Sequence, residues 1–142
     1  MGTRRKSREL AMQMLFQGDL GKQTPEEVRA LFWPSRDDVD AETRGFAEDI
    51  YRVATERRVE IDALIETHAQ NWRLERMAVV DRNVLRLAIY EMVFREDIPP
   101  VVSINEAVDI AKKFSTQDSG KFVNGILDKI KGELMRPARI VK

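Results

Sequence analysis

Between Met77 and Phe94 the chain reads MAVVDRNVLRLAIYEMVF, and its apolar positions recur at helical rather than strand spacing. Met77, Ala78, Val80, Val84, Leu85, Leu87, Ala88, Ile89, Met92 and Phe94 fill an arc of roughly 200°, about twice the stripe a surface helix needs. This helix is therefore expected to be covered on most sides, leaving Arg82, Asn83, Arg86 and Tyr90 on the remaining face. Asp81 and Glu91 interrupt the apolar arc. Buried carboxylates require cationic or hydrogen-bonding partners, so pairing with neighbouring helices is the first expectation for both.

The flanking sequence adds more helices and no strand pattern. From about Thr3 to Leu20, Leu10, Ala11, Met14 and Leu15 face one way. Lys6, Glu9, Gln13 and Gln17 share another face, with Phe16 and Leu20 at its margin. Gly18 and Gly21 close this helix, and Thr24-Pro25-Glu26-Glu27 opens the next with a capping box and a proline at the first helical position. Pro34 stops that helix by Trp33. Asp40 caps a helix from Ala41 whose core face is Phe46, Ile50, Tyr51, Val53 and Ala54. The cluster Glu56-Arg57-Arg58 marks a break before Ile61, Leu64, Ile65 and His68. Asn71-Trp72 is expected to form a tight link, with the indole plugging the core.

After Phe94, the run from Arg95 to Pro100 ends the central helix. Ser103-Ile104-Asn105-Glu106 reads as a second capping box, with Val102 and Ala107 as its staple, opening a helix through Phe114. A polar turn from Ser115 to Gly120 leads into a helix that continues through Asn124-Gly125 despite the turn preference of that pair. Gly125 would admit a close approach of another backbone. From Arg136-Pro137 onward a loose basic tail is expected.

At 142 residues the chain is expected to form one domain spanning positions 1–142. It has no cysteine, which excludes disulfides and thiolate chemistry and fits a reducing compartment. No apolar run reaches the length of a membrane span and none follows the basic start as a signal peptide would require, so a cytoplasmic location is expected. The net charge of zero hides a polarity, because Arg4, Arg5, Lys6 and Arg8 crowd the start while acidic residues gather between Asp37 and Asp49. Such a cationic start either neutralises phosphates or merely solubilises a disordered end. Amides and an aromatic edge on the first helix suit contact with nucleic acid, although Phe16 fits the core equally well.

Catalytic patterns are missing: there is no phosphate-binding glycine loop, no H-E-x-x-H and no nucleophile motif around any serine. His68 is the only histidine, and without a second His or any Cys it is expected to be structural rather than a metal ligand. A non-enzymatic protein without metal or cofactor is expected.

Four stretches resemble the transcription antitermination factor NusB family: Arg8 to Gln17, Val80 to Met92, Ser103 to Lys112, and Asp118 to Asp128. The last, DSGKFVNGILD, is the most diagnostic, and the resemblance runs from about Arg4 to Ile130 in order and spacing. It implies an all-α, NusB-like fold of about seven helices in two small bundles. It further implies a bacterial factor that binds the single-stranded boxA element of nascent ribosomal RNA with NusE, and helps load antitermination factors onto RNA polymerase. By position, the RNA surface maps onto Arg4, Arg5, Lys6, Arg8, Gln13 and Phe16, together with Asp118, Ser119, Gly120, Lys121, Phe122 and Asn124. The NusE surface maps onto Glu75, Asp81 and Arg82, which turns Asp81 into an exposed partner contact.

Lys121 and the arginines would contact phosphates, and Phe16 and Phe122 would stack on unpaired bases. Asp118 would accept hydrogen bonds from base amino groups, or cap a helix, or both. The family often has Tyr where this chain has Phe16, so any contact through that hydroxyl is lost. Some members form homodimers, and no feature of the sequence decides that state. Two other classes stay open: a helical protein adaptor, and the RNA-binding part of a ribosomal RNA cytosine methyltransferase. The latter would need a methyl-donor domain for which a chain ending at Lys142 leaves no room.

Overall fold

The structure, a computed structural model, describes residues 2–70 and 72–134. The expected basic tail and Asn71 lie outside the described residues. Seven α-helices follow one another: α1 (Gly2–Gly21), α2 (Pro25–Phe32), α3 (Ala41–Glu56), α4 (Arg58–His68), α5 (Val79–Phe94), α6 (Pro100–Phe114) and α7 (Gln117–Leu134). A single 3-10 turn, Leu74–Arg76, precedes α5, and no strand occurs among the described residues. Helices α1 to α3 form one small bundle and α4 to α7 a second, with α1 and α3 both packed on α5 so that the bundles share one core.

Helix α5 is enclosed on nearly every side, and the polar face expected to remain open is buried too. Asn83, Arg86, Tyr90 and Glu91 all lie inside. Each is satisfied by a different part of the surroundings, as buried polar groups must be. Arg86 Nε donates to Asp62 of α4 at 2.8 Å, and Tyr90 donates to Asp49 of α3 at 3.1 Å. Glu91 accepts from Arg8 of α1 at 2.6 Å and from Ser103 of α6 at 2.8 Å. The interhelical pairing expected of Glu91 is thus present.

Asp19 gathers the polar side of α5 at the seam between the bundles. Its carboxylate accepts from Arg82 at 2.6 and 2.7 Å, from Asn83 at 3.0 Å and from Arg86 at 2.9 Å. Burial alone would raise its pKa, but the hydrogen bonds from Arg82 and Asn83 and the two guanidinium charges hold it well below the usual carboxylate range.

Local signals explain most helix ends. Thr24 and Glu27 close the capping box reciprocally, at 3.2 and 2.8 Å, with Pro25 opening α2. Asp40 accepts from the Thr43 amide at 2.7 Å and caps α3. Arg57 separates α3 from α4, where the charged cluster predicts a break. His68 ends α4 with Nδ1 at 2.9 Å from the Leu64 carbonyl oxygen, a structural contact.

Four further expectations fail. Trp72 does not plug the core, being 51% exposed. Ser103 does not cap α6. That helix starts earlier, at Pro100, whose fixed φ and missing N–H suit the first turn, and the Ser103 hydroxyl serves Glu91 instead. The turn before α7 is shorter than predicted, because Thr116 Oγ1 accepts from the Ser119 amide at 3.1 Å and the helix begins at Gln117. Gly125 lies within α7 and meets nothing within 4 Å, so no backbone approaches it.

Candidate nucleic-acid interface

The cationic start divides into residues that are used by the fold and residues that are left to solvent. Arg8 is only 5% exposed. Its guanidinium is held by Glu91 and lies 3.4 Å from Glu106, so it is not a free phosphate contact as the basic run suggests. Arg5 reaches Glu106 and also bonds Asp109 at 3.1 Å, and Arg4 stacks its guanidinium 4.2 Å from the Phe46 ring centre. The Arg5 guanidinium draws the Glu106 pKa below the carboxylate norm. Lys6 is exposed.

Helix α6 connects this end of α1 with the start of α7. Lys113 binds Glu9 of α1 at 3.0 Å, and the stem of Lys112 lies so close to Gly120 that an added Cβ would sit 2.9 Å from its Cγ. Asp109, which Arg5 bonds, lines a depression with Asn105, Lys112, Gly120, Lys121 and Asn124. Arg5, Lys121 and Asn124 therefore share one side of the molecule, with α6 between them. Lys112, Lys121 and Asn124 are exposed, while Ser119 and Gly120 are buried and can present only backbone or small edges.

The other flank of the α7 start borders a second cleft, of about 320 Å³, with Asp118, Ser119 and Phe122 facing Trp72, Arg76 and Asp81. Asp118 is exposed in the first helical turn, and Thr116 rather than Asp118 supplies the cap. The Trp72 and Phe122 rings meet edge to face at 5.7 Å. Gln13 and Phe16 line a third depression, with Leu20, Phe32 and Arg36, between α1 and α2. Phe16 is half-buried against the core and also walls this groove.

The residues expected to meet NusE separate as well. Glu75 is exposed. Arg82 spends its guanidinium on Asp19. Asp81 is not an exposed contact: it is 8% exposed, and burial, opposed only by a Ser119 hydrogen bond, pushes its carboxyl pKa upward. Trp72, Arg76, Lys112 and Lys113 were not foreseen as surface residues. The one signal for Trp72 is its polar flank, Arg73 beside it.

Fold and surface together define an all-α protein of two small bundles around one shared helix, with Lys6 of α1, Lys112 of α6 and Lys121 of α7 exposed. The NusB family model matches residues 5–131, and the chain belongs to that family. It is 53% identical to the transcription antitermination protein NusB of Koribacter versatilis over 133 residues, covering 94% of this chain and 91% of that one. It superposes on T. maritima NusB with a TM-score of 0.85 and 38% identity, covering 98% and 97% of the two chains. A structure of the antitermination factors NusB and NusE in complex with double-stranded RNA gives a TM-score of 0.85 at 29% identity, covering 94% and 98%. Among the described residues no helix is long and apolar enough to cross a membrane, and no group of three His, Cys, Asp or Glu is placed to hold a metal.

Proposed function

We propose that this chain is a non-enzymatic, cytoplasmic transcription antitermination factor. In this role it binds single-stranded boxA-type RNA of nascent ribosomal RNA transcripts together with NusE, and helps assemble the antitermination complex on RNA polymerase. One observation carries the proposal: Arg5 bonds Asp109, which borders the same depression as Lys121 and Asn124, so the cationic start and the α7 corner form one strip. The NusB–NusE complex with RNA supports both partners by likeness.

On this strip Lys6, Lys112 and Lys121, with Arg4 and Arg5 behind them, meet phosphates. Asn124 reads base edges there, while Asp118 and Phe122 on the other flank of α7, and Phe16 in the groove between α1 and α2, offer further base contacts. Glu75 is the residue left to face NusE. Fluorescence anisotropy of boxA-type RNA, measured across a salt series with and without NusE, tests the proposal. The expected result is tighter binding with NusE present, and an affinity that falls with log salt at a slope of about −0.7 per phosphate contact. RNA affinity that is absent, or indifferent to both salt and NusE, would instead favour a pure protein adaptor.

A further inference from the structure

Helix α7 carries the glycines Gly120, Gly125 and Gly132, and none of them has a positive φ, so the backbone requires glycine at none of these positions. Glycine is a poor helix residue, and its presence here calls for another reason. Gly125 and Gly132 have open space where a Cβ would stand. Gly120 does not. A Cβ there would lie 2.9 Å from Cγ, 3.5 Å from Cδ and 3.0 Å from Cε of Lys112, so the stem of that lysine runs from α6 along the bare backbone of α7. Any side chain at position 120 would push the stem off this path.

A lysine lays its methylenes against the protein and keeps its ammonium in water. Lys112 is exposed, and no ion pair or hydrogen bond engages its ammonium among the described residues. The neighbouring Lys113 is spent on Glu9 at 3.0 Å. Lys112 and Gly120 line one depression with Lys121, and its single carboxylate, Asp109, is already bonded by Arg5 at 3.1 Å. Cations are therefore in excess there. A stem seated in advance also surrenders less freedom on binding than a loose one. We infer that Gly120 is a positioning residue for RNA: its missing side chain seats the Lys112 stem across α7 and holds the ammonium at this depression as a phosphate contact. The inference rests on the RNA-binding function proposed above.

The test is a double-mutant cycle on the full chain with Gly120→Ala, Lys112→Ala and both together. Anisotropy of boxA-type RNA across a salt series is read beside thermal denaturation. Lys112→Ala should weaken binding about fivefold, the scale of one exposed ion pair. It should also make the salt slope shallower by about 0.7. Gly120→Ala should reproduce both effects without lowering the melting temperature, and the double variant should be no weaker than Lys112→Ala alone. Unchanged affinity and slope in either single variant would overturn the inference while leaving RNA binding standing. A further loss when Gly120→Ala is added to Lys112→Ala would also overturn it, because the glycine would then act without the lysine. So would a lowered melting temperature in Gly120→Ala, which would mark the glycine as a packing residue. Failure of the unaltered chain to bind any RNA would remove the RNA-binding function itself, and this inference with it.

Discussion

Arg8 donates to Glu91 at 2.6 Å from a position only 5% exposed, whereas Lys6, two residues earlier, stands in solvent. Removing one member of an enclosed ion pair strands the other, which costs about 3–5 kcal/mol. Arg8→Ala should therefore lower the urea midpoint sharply, while Lys6→Ala leaves it within about 0.5 kcal/mol. In RNA titrations Lys6→Ala should instead make the salt slope shallower by about 0.7. Comparable stability losses in the two variants would contradict this division of labour. Nothing local in the sequence separates the two cations, because the carboxylate that buries Arg8 is 83 positions away. The same distance effect hid the environment of Asp81 and the engagement of Arg82 by Asp19, 63 positions earlier.

At the scale of single helices, the signals that held are those completed within a few residues. Thr24 with Glu27, Asp40 before Ala41 and the break at Arg57 need no distant partner, and each is present as predicted. The path of α7 through Asn124-Gly125 held as well, because Val123, Ile126, Leu127 and Ile130 bury one face and outweigh the turn preference of that pair. Ser103-Ile104-Asn105-Glu106 misled because two prolines upstream had already begun the helix, and because Ser103 and Glu106 answer charges on other helices. The start of α7 offers a direct check. Thr116→Ala should cost about 1 kcal/mol through loss of the cap. Asp118→Asn should stay within about 0.5 kcal/mol in thermal denaturation, since it gives up only a favourable charge in the first turn. A larger loss for Asp118→Asn would return the capping role to that residue.

Across the whole molecule, Asp19 ties α1 to α5, and Arg86 carries the tie on to Asp62 of α4. The Asp19 pKa lies below its unfolded value, so the bonus it gives is complete above about pH 4, the unfolded value, and is lost as pH falls further toward the folded one. Asp19→Asn should lower stability near neutrality by about 3 kcal/mol. It should also flatten the acid limb of a plot of unfolding free energy against pH, and an unchanged limb would place the acid sensitivity elsewhere. The order of the seven helices was legible because each segment carries its own apolar period, whereas their arrangement in two bundles was implied by the resemblance to the NusB family. What stayed hidden was which polar groups the central helix would draw inward, since that depends on charges contributed by three other helices and a hydroxyl from a fourth.

The chain contains two tryptophans in opposite circumstances. Trp33 is 4% exposed and donates its indole N–H to Glu48 at 2.6 Å, while Trp72 is 51% exposed at the mouth of a cleft. Their emission thus comes from two unlike surroundings, one dry and one wet. A soluble quencher would silence the second long before the first, giving the protein an internal lamp for unfolding and a separate external one for whatever settles beside α7.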